Sequence, residues 1–233
     1  MTSSRRTIEP LVRESTPGII ADKLRTAIGR GDFKAGDQLG EAQLARELGI
    51  SRGPLREGMQ RLTQEGLLVS VRNRGLFVVE MTPENVRDMY VARAAIERAA
   101  AEQIFGHDPQ DAGDQLLAVT GQMAQAASRE DDPKVSEADI DFHQMLVSLS
   151  RSPRLVRIHQ TLLTETRMCI HALEQTYRHS DDRVAEHRGI AEAFVALDPA
   201  LTDARLVAHM EDAVVRLATG APRRTTPSQP TPA

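Results

Sequence analysis

One aspartate and three histidines fall at spacings that would let them share a site. Asp139 and His143 lie four residues apart, so on a helix both side chains point the same way. His187 and His209 each lie on the apolar side of another amphipathic segment. A buried imidazole needs a hydrogen-bond partner or a metal ion. Imidazole with carboxylate suits Zn²⁺, Ni²⁺, Mn²⁺ or Fe²⁺ and leaves coordination positions open for water or a ligand.

The same pattern admits a second interpretation. A single histidine on an apolar helix face is more often a hydrogen-bonded core residue than a metal ligand. His159 also lies on a partly apolar face, beside Leu155 and Leu162, so periodicity does not single out three of the histidines. From the residues alone, a metal site and a hydrogen-bonded core both stay open.

Two arginines nearer the amino terminus have the spacing of a nucleic-acid-reading surface. Arg52 and Arg56 are four residues apart, opposite an apolar stripe on the same predicted helix. That stripe consists of Leu55, Met59 and Leu62. Arginine is well suited to a bidentate contact with guanine. Ser51 is expected to cap the helix, and Gly53 would let its backbone approach DNA. Taken singly, each arginine is more often only a solvated charge.

A hairpin with a basic tip follows this helix. The runs LLVSV and LFVVE read as short strands separated by RNRG, with Gly75 making the turn. Arg72 and Arg74 at the tip suit the minor groove or phosphates. Helix, short helix, tight turn, helix and hairpin is the order of a winged helix-turn-helix, whose third helix enters the major groove. The predicted DNA-binding residues are Ser51, Arg52, Gly53, Arg56, Arg72, Arg74 and Gly75.

After Met81 the pattern is helical only. Thr82-Pro83 signals a helix start, and further amphipathic segments follow at 109–129, 134–149, 153–178, 183–196 and 199–218. Such helices with short connections predict an antiparallel bundle. The expected fold class is mainly α, with an amino-terminal winged helix-turn-helix that includes a small β-hairpin and a carboxy-terminal antiparallel helical bundle. The expected divisions are a flexible arm at 1–14, the winged domain at 15–81, the helical domain at 82–219 and a disordered tail at 220–233.

Composition excludes several classes of protein. Aromatic residues make up 3% of the chain, which argues against aromatic stacking platforms. The single cysteine, Cys169, excludes a disulfide framework and fits a reducing cytosol. No apolar run approaches the ~20 residues of a membrane span, and no signal-peptide core is present, so we expect a cytoplasmic protein without a membrane partner.

The charge is unevenly distributed along the chain. Residues 1–80 hold 13 Lys and Arg against 10 Asp and Glu, a net charge of +3. Residues 81–233 hold 16 against 23, a net charge of −7, and the two halves together give −4. Polyanion binding is therefore expected in the front half.

The front half resembles the DNA-binding domain of the GntR family of bacterial transcription regulators. The resemblance covers residues 24–80 through GDFKAGDQL, LARELGISRGPLRE, RLTQEGLL and NRGLFV. It implies DNA contacts by Arg52, Gly53, Arg56 and the wing residues 72–75. Gly58 departs from the usual alanine and should loosen the helix by up to ~1 kcal/mol. Ala42 stands where some members carry a basic residue that contacts DNA.

The back half resembles the all-helical effector domain of the FadR subgroup, called FCD. The matching pieces are VARAAIERAAA, DIDFHQMLVSLS, AEHRGIAEAF and ARLVAHMEDAV. Many members use one Asp and three His as metal ligands, which fall on Asp139, His143, His187 and His209. The resemblance also implies a small carboxylate effector. Arg93 matches the family's Arg-Glu pattern, although the residues slightly favour an intrahelical salt bridge with Glu97 over ligand contact. Arg167 is a second effector-binding candidate.

These features together predict a metabolite-responsive transcription regulator, of the repressor type, and no catalytic residues. Its expected partners are double-stranded operator DNA of pseudo-palindromic sequence, a small organic acid and a second copy of the chain as a homodimer. Its expected cofactor is a divalent metal, zinc first, with nickel, manganese or iron as alternatives. Two other readings stay open, a metal-dependent helical-bundle enzyme and a DNA-binding protein whose metal is purely structural.

Overall fold

The computed structural model describes residues 16–173 and 180–219, without the side chains of 171–173 and 217–219. The predicted arm at 1–14 and tail at 220–233 lie outside the described residues. The part that is described is mainly helical with one small antiparallel sheet, which confirms the predicted fold class. The chain divides into two compact units between Val79 and Glu80, and Gly29–Gly31 group with the second.

The amino-terminal unit holds three helices and three short strands among its described residues. In chain order they are α1 (Thr16–Gly29), β1 (Gln38–Leu39), α2 (Glu41–Glu47), α3 (Arg52–Gln64), β2 (Leu68–Val71) and β3 (Gly75–Val78). The sheet is antiparallel with the order β1-β3-β2. This is the predicted helix and hairpin sequence with one strand added.

The added strand was not predicted from the sequence, which is rich in turn-forming residues before Gln38. Gln38 pairs with Phe77 and Leu39 with Leu76, and Leu39 is buried. A strand of two residues is too short to show the alternation by which strands are found in a sequence.

Helices α1 and α3 approach each other closely at one point in the core of this unit. The predicted stripe on α3 is fully buried, and it consists of Leu55, Met59 and Leu62. Gly58 lies on the same buried face. A Cβ atom at Gly58 would lie 2.8 Å from Cγ2 of Ile20 and 3.1 Å from the carbonyl oxygen of Pro17. The glycine therefore permits a close helix approach as well as weakening the helix.

The carboxy-terminal unit is entirely helical over its described residues. Its helices are α4 (Pro83–Phe105), α5 (Pro109–Ala127), α6 (Asp132–Leu149), α7 (Pro153–Leu173), α8 (Ser180–Val195) and α9 (Pro199–Thr219). The predicted continuation of α7 to residue 178 falls on 174–179, which lie outside the described residues. The helix predicted from 183 begins at Ser180.

Local sequence signals start three of these helices. The hydroxyl of Thr82 accepts a hydrogen bond from the backbone N–H of Asn85, and proline occupies the first turn of α4. Asp108 and Asp131 cap α5 and α6 in the same way. Helix α4 packs against α6, α7 and α9, and α8 packs against α5, α6 and α9. The bundle thereby brings α6, α8 and α9, which carry the predicted histidines, together.

Candidate metal centre and nucleic-acid interface

Three imidazoles meet in the interior of the helical unit. His143 on α6, His187 on α8 and His209 on α9 are all buried. The Nε2 atom of His143 lies 3.1 Å from Nε2 of His187 and 3.1 Å from Nε2 of His209. The candidate ligand atoms of all three rings lie within 4.8 Å of one another. This spacing could hold a metal ion.

Asp139 lies one helical turn before His143 and faces two of the three rings. Its Oδ1 atom lies 3.7 Å from Nε2 of His143, and its Oδ2 atom lies 3.7 Å from Nε2 of His187. The carboxylate is 4% exposed. The structure therefore brings the three predicted histidines together and places Asp139 beside two of them.

The opposite nitrogen of each ring faces an oxygen. Nδ1 of His143 lies 2.7 Å from Oε2 of Glu97. Nδ1 of His187 lies 2.7 Å from the carbonyl oxygen of Arg183, and Nδ1 of His209 lies 3.0 Å from Oε2 of Glu186. These acceptors place a proton on each Nδ1, so each Nε2 presents a lone pair to the centre of the cluster.

The electrostatics of the cluster favour a cation at its centre. Burial lowers the pKa of His143 to about 4, helped by the charge of Arg93, and burial lowers the pKa of His187 to about 3. Both rings are therefore neutral at pH 7, and their lone pairs face each other beside an ionised aspartate. In a tetrahedral site with bonds of about 2.0–2.1 Å, ligand atoms lie about 3.3–3.4 Å apart. The donor types and their spacing fit a divalent metal ion.

Glu97 connects this cluster to α4 and α7. Its Oε1 atom accepts a hydrogen bond of 2.6 Å from Nε of Arg93 and lies 3.0 Å from Nε2 of His159. Burial alone would raise the pKa of Glu97, but its interactions with His143 and Arg93 hold that pKa well below its ordinary value. His159, which the sequence left open as a possible ligand, therefore contacts Glu97.

Arg93 is buried and only partly satisfied. It is 1% exposed, and its Nη1 donates a weak hydrogen bond of 3.4 Å to the hydroxyl of Thr166. Its Nη2 is buried and has no hydrogen-bond partner among the described residues. The predicted salt bridge with Glu97 therefore exists, and it leaves Nη2 of the guanidinium available. Arg167 lies on α7, half-buried, one residue beyond Thr166.

Sequence reasoning missed two groups around the histidines. Glu186 accepts from His209 and from Nη2 of Arg216 at 2.9 Å. Arg183 is 3% exposed, and its Nε lies 3.9 Å from Oδ2 of Asp139. The four-residue spacing from Arg183 to His187 was a usable signal, because it places both on one face of α8. Glu186 acts on a residue of another helix, and no spacing within the sequence reports that.

The amino-terminal unit exposes the predicted DNA-reading residues. Ser51, Arg52 and Gly53 are exposed at the start of α3. Ser51 occupies the N-cap position, but its side chain makes no capping hydrogen bond, which corrects the expected capping role. Arg56 is exposed one turn further along α3 and pairs with Glu41 of α2.

The hairpin between β2 and β3 has the predicted basic tip. Arg72 and Arg74 are exposed, and the guanidinium carbon of Arg74 lies 5.2 Å from the centroid of the Phe77 ring. Gly75 has a φ of 105°, a left-handed conformation that favours glycine. The hairpin therefore carries two cations on a defined turn.

Among the described residues, no helix has the length and apolar character needed to cross a membrane.

Comparison with known proteins identifies both units. The family model described as "Bacterial regulatory proteins, gntR family" matches residues 18–78. The model described as "FCD domain" matches residues 88–212. The first match coincides with the winged unit and the second with the helical unit that holds the histidines.

Individual relatives agree with these matches. The uncharacterised HTH-type transcriptional regulator YdhC of Bacillus subtilis is 26% identical over 81% of this chain and 84% of its own length. The gluconate operon transcriptional repressor of Bacillus licheniformis is 27% identical over 63% of this chain and 61% of its own length.

A crystal structure from Rhodococcus sp. RHA1, assigned as a GntR transcriptional regulator, is 29% identical with a TM-score of 0.74. It covers 90% of this chain and 100% of that one. Since the FCD match alone spans more than half of the sequence, the chain belongs to the GntR family of bacterial transcription regulators, in the group that carries an FCD domain, and this is a family of regulators rather than enzymes.

Proposed function

We propose that this regulator is a metabolite-responsive repressor whose helical unit binds a small organic acid at a metal centre. It acts in the cytoplasm, where the chromosome lies, as a homodimer on a pseudo-palindromic operator. The observation that supports the sensing half is the convergence of three imidazole Nε2 atoms, two of which lie 3.7 Å from the Asp139 carboxylate, with an oxygen acceptor behind every ring. A hydrogen-bonded core without a metal would need no such common orientation.

The metal ligands in this proposal are Asp139, His143, His187 and His209. Neutral imidazole and carboxylate suit Zn²⁺ first, with Ni²⁺, Mn²⁺ or Fe²⁺ as alternatives. When bound, the metal would supply a Lewis-acidic centre that a carboxylate oxygen of the effector could join. The residues of this chain fix the ring orientations, because Glu97, Glu186 and the carbonyl of Arg183 hold each Nδ1–H.

Arg93 is the residue that we propose for recognition of the acid. Its buried Nη2 lacks a hydrogen-bond partner among the described residues, while its Nε is fixed by Glu97. A carboxylate oxygen of the effector would satisfy this N–H with a charge-assisted hydrogen bond. Arg167, the second candidate, follows Thr166 on α7, and we propose it only as a peripheral contact of the acid. The gluconate operon repressor among the relatives is consistent with both a hydroxy acid and repression.

The DNA half of the proposal rests on exposed cations. Arg52 and Arg56 would meet base edges in the major groove, with Ser51 and Gly53 at the backbone. Arg72, Arg74 and Gly75 would place the wing against phosphates or the minor groove. Two-fold symmetry of the homodimer imposes the same symmetry on the operator.

Regulation requires that the effector bind two states of the protein with different affinity. The ligand residues lie on α6, α8 and α9 and Arg93 lies on α4, so effector binding would adjust the positions of four helices. A coupling free energy of ~1–3 kcal/mol would change operator affinity about 5- to 150-fold.

A purely structural metal is the second candidate. The observation that favours it is burial, since His143 and His187 are both 0% exposed. A closed, fully buried ligand set is typical of structural metal sites.

One set of measurements separates the two candidates. Operator duplexes are first selected from a random pool with the zinc-loaded full-length protein, and affinity is then measured with and without a panel of small hydroxy and keto acids. We expect one class of acid to weaken operator binding and to raise the melting temperature of the loaded protein. No effect from any acid at saturation would contradict the sensing proposal and leave the structural role.

Substitution at the metal centre gives the complementary test. His187→Ala should abolish the response to the acid while operator affinity in its absence is kept. Unfolding of the variant would support the structural role. Arg93→Lys keeps the charge but removes the Nη2 donor, and we expect it to weaken the acid response.

The DNA half is tested separately. Arg52→Ala should cost ~1–3 kcal/mol of operator binding and relax base preference at one position. Arg72→Ala and Arg74→Ala should each reduce the slope of log affinity against log salt by about 1. Parental binding by all three variants would contradict the assigned interface.

A further inference from the structure

An ion pair links the two helices of the helix-turn-helix at the proposed DNA-reading surface. Nε of Arg56 donates to Oε1 of Glu41 at 3.2 Å, and Nη2 of Arg56 donates to Oε2 at 2.8 Å. Glu41 is the first residue of α2, and Arg56 lies on α3. The Arg56 side chain is 64% exposed and that of Glu41 is 34% exposed.

Stability does not account for this pair. Exposed ion pairs contribute about 0–1 kcal/mol to folding. A carboxylate at a surface that meets DNA also repels phosphates, so Glu41 lowers the general affinity of the unit for a polyanion. Its placement beside Arg56 therefore needs another explanation.

The geometry of the pair provides one. A guanidinium has two edges that can donate two parallel hydrogen bonds. Glu41 occupies the edge formed by Nε and one N–H of Nη2. The other edge, formed by Nη1 and the second N–H of Nη2, stays directed away from Glu41, and it is this end-on fork that matches O6 and N7 of guanine.

The charges near Glu41 support the same arrangement. The hydrogen bond from Arg56 is the main cause of a lowered pKa at Glu41, and the charge of Arg52 adds to it. Glu41 therefore stays ionised throughout the physiological range, and both arginines proposed to read bases lie within its electrostatic reach.

We propose that Glu41 is a specificity-determining residue that holds Arg56 side-on, so that the guanidinium end reads one guanine in each half-site. This inference rests on the proposed role of Arg56 in DNA recognition. A fixed arginine loses less rotamer entropy when it meets its base. It is also kept from swinging onto a phosphate, where it would bind every sequence equally.

The chain offers a matched control on the same helix. Glu47 is also on α2 and exposed, and it accepts from Gln43 at 2.8 Å. Glu41→Ala and Glu47→Ala each remove one negative charge from α2. Only the first releases Arg56, so a difference between them isolates the positioning role from the general charge effect.

The experiment uses full-length protein and a pool of random-sequence duplexes. Each variant selects its own sequences, and affinity is measured for the parental consensus and for a scrambled duplex. We expect Glu41→Ala to lower the ratio of specific to non-specific affinity at least fivefold and to relax one guanine position. Arg56→Ala should relax that same position. Glu47→Ala should raise affinity for both duplexes alike and leave their ratio within twofold.

Two results would overturn the inference, and they are distinguishable. If Glu41→Ala and Glu47→Ala behave alike while Arg56→Ala loses specificity, Arg56 reads DNA without help, and only the role of Glu41 is refuted. If Arg56→Ala also selects and binds like the parent, the proposed reading face is refuted with it. Melting temperatures equal to the parent's show that each variant is folded.

Discussion

The two units of this regulator use charge in opposite ways. In the winged unit, the cations proposed to contact DNA are exposed, and the ion pair of Arg56 with Glu41 is itself open to solvent. In the helical unit, Arg93, Glu97, His143 and His159 are all at most 2% exposed and are linked by short hydrogen bonds. Exposed charges can be replaced one at a time with little loss in the free energy of unfolding. Buried charges depend on one another, because removing one leaves its partner buried and unpaired. We therefore expect charge substitutions to act independently of one another in the winged unit and to affect one another in the helical unit.

The largest expected difference lies between two ion pairs that share α4. Glu97→Ala leaves Arg93 buried without its anion, and we expect a loss of about 3–5 kcal/mol in the free energy of unfolding. The matched control is Asp203→Ala, which removes the partner of exposed Arg98 and should cost less than about 1 kcal/mol. Urea denaturation of the metal-free protein, followed by far-ultraviolet circular dichroism, measures both. Equal losses would mean that burial does not separate the two pairs.

The second prediction concerns the acceptors behind the metal-binding rings. Glu186→Gln keeps the size of the side chain but weakens its hold on Nδ1–H of His209. We expect zinc affinity to fall about 10- to 100-fold. Glu192→Gln on the exposed face of the same helix removes the same charge and should change zinc affinity less than twofold. Competition with a chromogenic chelator at pH 7.5 gives both values, and identical affinities would show that Glu186 does not orient the ring.

This contrast explains what the sequence could and could not predict. The 3.6-residue period places Asp139 with His143 and marks the buried sides of the helices that carry His187 and His209. It also marked His159, because periodicity reports which side of a helix is buried and not what that side meets. The separation of His159 from the other rings depends on how α4 and α7 pack. The hydrogen bond from His209 to Glu186 likewise joins two helices.

In the winged unit, local sequence signals predicted more of the structure than they did in the helical unit. Turn residues and short β runs located the wing, and i, i+4 spacing located the arginines. Two features of this unit were not predicted from the sequence. Strand β1 has two residues and therefore no period. The Glu41–Arg56 pair joins residues fifteen positions apart on different helices, and only the tertiary structure brings them together.

A substitution at Gly58 tests how closely α1 and α3 must approach in the winged unit. Alanine would improve helix propensity by up to about 1 kcal/mol, but its Cβ would lie 2.8 Å from Cγ2 of Ile20. Since overpacking costs about 1–3 kcal/mol, we expect a net loss of up to about 2 kcal/mol. Gly53→Ala is the control, because an added Cβ there meets nothing within 4 Å. Thermal denaturation of both variants shows whether stability falls or rises. A Gly58→Ala protein more stable than the parent would show that α1 can shift away from the added Cβ without loss of stability.

The smallest expected effect comes from a half-buried acid outside the histidine cluster, Glu165. Burial, with the charge of Asp88, raises the pKa of Glu165 to about 7. In the unfolded chain this carboxyl ionises near pH 4.5, so ionisation destabilises the folded state increasingly as the pH rises from 4.5 to 7. Because the group is partly solvated, Glu165→Gln should gain only about 1 kcal/mol at pH 8 and nothing at pH 4. Glu102→Gln, exposed on α4, should show no such dependence on pH. Urea titrations at the two pH values measure the difference, and a gain that is equal at both would assign the effect to packing instead of to charge.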